Sequence, residues 1–184
     1  MVVLIIGIPD SGKSKMAEDM AVSLSENGSR YYIATMIPFG EEGQKRIEKH
    51  RKLRQGKGFE TIECPEDLGR KLSNVDGIAG STCLLECMSN LVGNEMHREG
   101  ALCGNELVNH IIKDVRNLCQ RAENVVIVSN SFPMEAPGYD DDTRNYVRAL
   151  FQVNEELKKI SDEIYVFEEG TWLKEKASIG SDRT

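Results

Sequence analysis

Gly7-Ile8-Pro9-Asp10-Ser11-Gly12-Lys13-Ser14 decides the reading of this chain. It fits G-x-x-x-x-G-K-[ST] in full. A chance match in a chain this long is on the order of one in a hundred at average residue usage. The flanks lower that further. Val2 to Ile6 is a continuous apolar run rich in β-branched residues, as in a buried parallel strand. Lys13 to Ser25 carries Met16, Ala17, Met20, Ala21 and Leu24 at helical spacing. Strand, glycine-rich loop, helix is the context the motif requires. Gly7 and Gly12 let backbone amides turn inward around phosphate oxygens, and the helix N-terminus adds its dipole. Asp10 and Ser11 lie in the same loop. Lys13 is placed to reach β- and γ-phosphates, and Ser14 to ligate Mg²⁺. These residues predict a site for a magnesium-bound nucleoside triphosphate.

Outward from the loop, the pattern repeats. Strands are expected at Tyr31 to Ala34, Phe59 to Ile62, Thr82 to Leu85, Val125 to Ser129 and, as a last core strand, Glu163 to Phe167. Between them fall helical stretches: a polar Glu41 to Arg54, one opened by Pro65-Glu66-Asp67, Asn105 to Ala122, and Thr143 to Ile160. Val92 to Gly104 reads as a loop or lid, and the tail after Lys176 as a fraying end. Alternation of this kind implies an α/β fold in three layers, a mostly parallel sheet flanked by helices. Residues 1–184 are expected to form one nucleotide-binding domain, since no repeat or linker divides them.

Bulk properties exclude several classes. The net charge is -7, which argues against general nucleic-acid binding. No stretch is long and apolar enough to span a bilayer. The apolar opening MVVLIIG is too short for a secretory segment and runs straight into the loop. The five cysteines show no zinc-type pairing, and Cys83 and Cys87 read as buried free thiols. A reducing cytoplasm is the expected compartment.

A P-loop site also calls for a carboxylate at the end of a neighbouring strand. Glu86, after Leu84-Leu85, is the candidate second metal ligand. A further feature is the basic run Gln44 to Arg54, in which Arg46, His50 and Arg54 stand at steps of four and share one helix face. Spacing alone fits a solvated basic face at least as well as a site. As a site, a neutral imidazole is a competent nucleophile toward phosphorus, with arginines to stabilise phosphate charge.

Together these segments resemble the bifunctional adenosylcobinamide kinase / adenosylcobinamide-phosphate guanylyltransferase family of cobalamin synthesis. The resemblance rests on GIPDSGKSKMAE, YYIAT, RIEKHRKLRQGKGFETIE, LLECMSNLVGN, VVIVSN and VNEELKKISDEIYVFEEG. The third is the specific one, because many P-loop proteins share the first. The resemblance implies a RecA-like P-loop domain, assembled as a homotrimer and acting on nucleotide and corrinoid small molecules. It implies phosphoryl transfer to the aminopropanol hydroxyl, then GMP transfer from GTP through a guanylylated histidine, matched here by His50. It also implies a nucleotide contact for Glu63. The chain departs from the family pattern at Glu86, where Asp is common. It departs again after Val125 to Ser129, where the common N-E-V-G becomes Asn130-Ser131-Phe132-Pro133. Glu135 or Asp140-Asp141-Asp142 are the carboxylates available to replace the missing acid. Two other readings fit the same residues: a different small-molecule P-loop kinase, with His50 only a phosphate contact, and a non-catalytic nucleotide-binding regulator.

Overall fold

Alternation along the first strand sets the architecture. In β1 (Val2–Gly7), Val3 and Ile5 point to one face of the sheet, and Leu4 and Ile6 to the other, all buried. The computed structural model describes residues 1–175; the tail after Lys176 lies outside them. After β1 come α1 (Lys13–Ser25), β2 (Arg30–Ala34), α2 (Gly40–Arg54), β3 (Phe59–Glu63), α3 (Leu68–Ser73), a 3₁₀ turn (Asp76–Ile78) and β4 (Thr82–Glu86). The second half runs α4 (Met88–His97), α5 (Gly104–Arg121), β5 (Asn124–Asn130), α6 (Asp141–Ile160), β6 (Glu163–Glu168) and β7 (Thr171–Glu175).

The seven strands form one sheet in the order β3-β2-β4-β5-β1-β6-β7. All neighbours are parallel except the β6–β7 hairpin. Ala17 and Ala21 of α1 pack with Val3, Ile5, Tyr32, Leu84, Val126 and Val128 on one face. Side chains of α3 to α6 close the other face over Leu4, Ile6, Ile33, Leu85 and Ile127. This is the three-layer α/β arrangement expected, and no helix among the described residues is long and apolar enough to cross a membrane. Because β1, β4 and β5 are parallel, their C-terminal ends meet at one sheet edge. Gly7 there lies in register with Asn130, and Glu86 with Val128.

Two expectations need correction, and one strand lies beyond those expected. Val92 to Gly104 is not a lid: α4 continues to His97, leaving only Arg98 to Cys103 as connection. Its Leu91 and Val92 are buried in the core, and buried Glu95 accepts from Asp67 N at 2.6 Å and pairs with Arg98 at 2.7 Å. β6 is the last core strand, and a largely exposed edge strand follows it. Glu169 and Gly170, both at positive φ, turn the chain into β7, which brings Trp172 onto Phe167. Cys83 is buried as expected, but Cys87 is only half-buried.

Candidate active site

The glycine-rich loop joins β1 to α1 where the sheet edge is open. Gly12 caps α1 in the left-handed region, φ 84°, and nothing lies within 4 Å of where its Cβ would be, so backbone conformation alone demands glycine. Gly7 is different. A Cβ there would lie 2.6 Å from Ser11 Oγ and 3.1 Å from Trp172. The hairpin missed by the sequence reading therefore forms the back wall of the loop. Asp10 is exposed and also left-handed, φ 57°, with Lys49 Nζ 3.9 Å from its carboxylate. Ser11 Oγ is buried without a partner. Lys13 Nζ folds back to donate to Ile8 O at 2.9 Å. Burial lowers Lys13 from its ordinary value, while Cys87, Glu86 and Asp10 work to raise it. An incoming polyphosphate would relieve that cost.

Glu86 is the hub. It is 7% exposed at the end of β4, and its Oε1 accepts from Ser14 Oγ at 2.5 Å. His50 Nδ1 stands 3.5 Å from the same oxygen. Glu18 of α1 is fully buried, and its carboxylate lies with that of Glu86 and the imidazole of His50 in a cluster whose ligand atoms are all within 4.8 Å of one another. Oε1 of Glu18 and Oε2 of Glu86 are buried without hydrogen bonds. A hydroxyl beside an open carboxylate oxygen is a donor set that fits a hard divalent cation. The Glu86–Cys87 peptide is cis and is held by Thr35. Thr35 N donates to Glu86 O at 3.1 Å, and Cys87 N donates to Thr35 Oγ1 at 2.7 Å.

Lys57 answers the buried charge. Its Nζ sits 2.9 Å from both Glu18 and Asp19. Burial raises the Glu18 carboxyl, and Lys57 opposes that rise first by its hydrogen bond and then by its charge. Burial works against Lys57 too, but its bonds to Asp19 and Glu18 outweigh it and raise the amine. The Arg54 guanidinium lies over the Tyr32 ring, 3.4 Å from the centroid. Burial, then Glu86, pushes the Tyr32 hydroxyl up.

The structure thus brings Lys13, Ser14, Glu86 and His50 together, with Arg54 beside them. The side chain of Arg46 lies outside the described residues. Glu63 stays apart from the cluster: it is exposed at the end of β3, 4.0 Å from Arg51. A basic groove of about 680 Å³ runs along this side, lined by Arg51, Lys52, Arg54, Gln55, Phe59 and Thr61 among others. The acidic run after β5 is occupied elsewhere. Asp140 caps α6, accepting from Thr143 N at 2.8 Å; Asp141 pairs with Arg144; Asp142 pairs with His97. Glu18, Lys57, Tyr32 and Thr35 were not singled out from sequence. A charged residue interrupting the apolar face of α1 was the available signal for Glu18; the others carried none.

Comparison with known proteins is decisive for the family. The family described as cobinamide kinase / cobinamide phosphate guanyltransferase matches residues 3–174. The chain belongs to this family. Cobinamide kinase / cobinamide phosphate guanyltransferases are enzymes of cobalamin biosynthesis that transfer phosphorus-containing groups, acting on nucleotides and cobinamide. No curated protein matched. Among solved structures, the flagellar accessory protein FlaH from Methanocaldococcus jannaschii is similar, at 14% identity and a TM-score of 0.49. That match covers 94% of this chain and 75% of FlaH.

Proposed function

We propose that this chain, acting as one nucleotide-binding domain, carries out both family reactions at the Glu86 cluster, with His50 as the guanylyl carrier. The observation that carries the reading is the shared carboxylate: one Glu86 oxygen touches both the P-loop serine and the histidine. Gly7, Asp10, Ser11, Gly12 and Lys13 cradle the triphosphate; Ser14 and Glu86 hold Mg²⁺. Bound there, Mg²⁺ would supply charge neutralisation for the phosphates. In the kinase step, the γ-phosphate of GTP or ATP passes to the hydroxyl of cobinamide.

In the second step, Glu86 holds the Nδ1 side of His50 and leaves Nε2 as nucleophile. At 3.5 Å the contact is long for a hydrogen bond, as unliganded sites often are before substrate tightens them. Nε2 attacks the α-phosphorus of GTP. An N–P bond forms, the bond from α-phosphorus to the bridging oxygen breaks, and pyrophosphate leaves. A phosphate oxygen of cobinamide phosphate then attacks the same phosphorus, breaking the N–P bond and restoring the imidazole. Arg54 offers charge on the groove side. Glu63 is assigned a ribose or base contact along that groove. By resemblance the assembly is a homotrimer in the cytoplasm, which sedimentation and fractionation would test.

Covalent labelling tests the histidine directly. The protein is mixed with Mg²⁺ and α-labelled GTP, then denatured in alkali. Label is expected to stay on the chain, to vanish in His50→Ala, and to be absent with γ-labelled GTP. Intact GTP binding without label removes His50 as carrier and leaves a kinase.

A further inference from the structure

A second cleft opens at the same sheet edge, on the opposite face from α1. It occupies about 290 Å³ between α4 and α6. Its inner end is Ser89, and a short run of contacts joins that residue to the phosphate loop. Ser89 Oγ lies 2.9 Å from Cys87 Sγ, the residue after Glu86, and accepts from Asn130 Nδ2 at 2.6 Å. Asn130 is in register with Gly7. Tyr146 donates to Ser89 O at 3.1 Å, tying α6 to the same point.

The chemistry of this cleft differs from that of the basic groove. Its deep part presents Ser89, Asn90, Asn94 and Tyr146, all uncharged. The Asn90 side-chain amide makes no hydrogen bond among the described residues. A free side-chain amide, donor and acceptor in one, among uncharged neighbours is what a hydroxyl- and amide-bearing chain needs. Charge appears only at the mouth. His97 Nε2 lies 3.0 Å from Asp142, and its Nδ1 is 2.8 Å from Gly93 O, so both ring nitrogens are engaged within the protein. Asp140 and Asp141 stand next to Asp142 at the start of α6. This lip offers a phosphate monoester no open cation and faces it with carboxylates.

We propose that this cleft takes the hydroxyl-terminated amide arm of cobinamide before it is phosphorylated, with the Asn90 side chain meeting the arm's amide. Its size sits at the small end of ligand sites, which run from about 300 to 1,000 Å³. An arm fits, and the macrocycle stays outside. Once phosphorylated, the arm leaves for the basic groove beside His50. The proposal rests on the reading that the glycine-rich loop holds the triphosphate.

Two variants test it. Asn90→Leu removes the free amide. Gly93→Leu fills the cleft: a Cβ at Gly93 would meet Tyr146 at 3.6 Å, an ordinary contact, and replacing a helical glycine favours the fold. Cobinamide and cobinamide phosphate are each followed by their corrin absorbance in equilibrium dialysis, and α-GTP labelling of His50 is read on the same samples. Both variants should bind cobinamide about tenfold more weakly, the order of one lost hydrogen bond in a filled or depolarised site. Cobinamide phosphate should change less than about twofold, and labelling should match the parent chain. Unchanged cobinamide affinity in Gly93→Leu overturns the proposal, as does an equal loss for both ligands. If the parent chain takes no label but the variants still lose cobinamide, the cleft stands and the histidine reading falls.

Discussion

Replacing Lys57 by Met would leave the Glu18 carboxylate buried without its cation. The pair is short, 2.9 Å, and Glu18 is fully buried, while a quarter of the Lys57 side chain is exposed. At that separation the gross attraction is about 6 kcal/mol for an effective dielectric of about 20. Breaking a buried pair by removing one partner costs about 3–5 kcal/mol, and partial exposure of Lys57 reduces this to about 2–3 kcal/mol. For a chain of this length that is a fall in Tm of roughly 5–10 °C. The loss should depend on pH. Burial already raises the Glu18 carboxyl above its ordinary 4.5, and losing Lys57 raises it further. A raised acid makes the folded state the stronger proton binder. Stability then falls as pH climbs from 4.5 through the folded value. Thermal unfolding of Lys57→Met should show a small deficit near the bottom of that range and the full deficit at about pH 8. The double variant with Glu18→Gln should recover most of it. A deficit of equal size across the range, or none at all, would refute the claim that Lys57 offsets a buried charge beside His50.

Three other perturbations follow from the geometry. Gly7→Ala drives a methyl against Ser11 and Trp172; emission of Trp172, the single tryptophan, titrated with Mg²⁺-GTP, should show affinity lowered at least about tenfold. Asn154→Leu unpairs Ser129 Oγ and Asn130 O, which it now holds at 2.6 and 3.0 Å. The expected cost is about 2–4 kcal/mol by denaturant unfolding, against near zero if those groups find other partners. The backbone carbonyl of Gly93, then Asp142, raises His97 above 6.5, so its stabilisation is complete below that value and fades as pH rises through the folded one. The Tm gap between the parent chain and His97→Gln should therefore be wider at about pH 6 than at pH 9; a gap that widens with pH would contradict the pairing.

Much of this was written in local sequence. An apolar run, a full phosphate-loop motif and a helix stripe are consecutive, so period and motif chemistry could place β1, the loop and α1. Glu86 was legible because it ends an apolar strand. The hairpin strand β7 was not: Thr171 to Glu175 is short and largely exposed, so it lacks the apolar run that marks a buried strand. The helix α4 was hidden by Asn90, Gly93 and Asn94, poor helix formers that line the cleft. Asn94 Nδ2 bonds Thr35 O and Pro65 O, each at 2.8 Å. Nothing local could pair Lys57 with Glu18, 39 residues away, or set His50 against Glu86. Those contacts exist only because β2 and β4 are neighbours.

The strand that carries the phosphate loop precedes both of its partners in the chain and is paired late. β1 lies between β5 and β6, so neither partner exists until residues 124–130 and 163–168 have been synthesised. Until then its run of Val, Leu and Ile is an unpaired edge, the kind of segment that invites association during slow, long-range folding. The Trp172 wall behind Gly7 arrives later still. A ribosome-bound nascent chain should therefore acquire its nucleotide grip only after residue 175 clears the exit tunnel, and a truncation before β7 would cost the enzyme its binding loop although the whole motif is present.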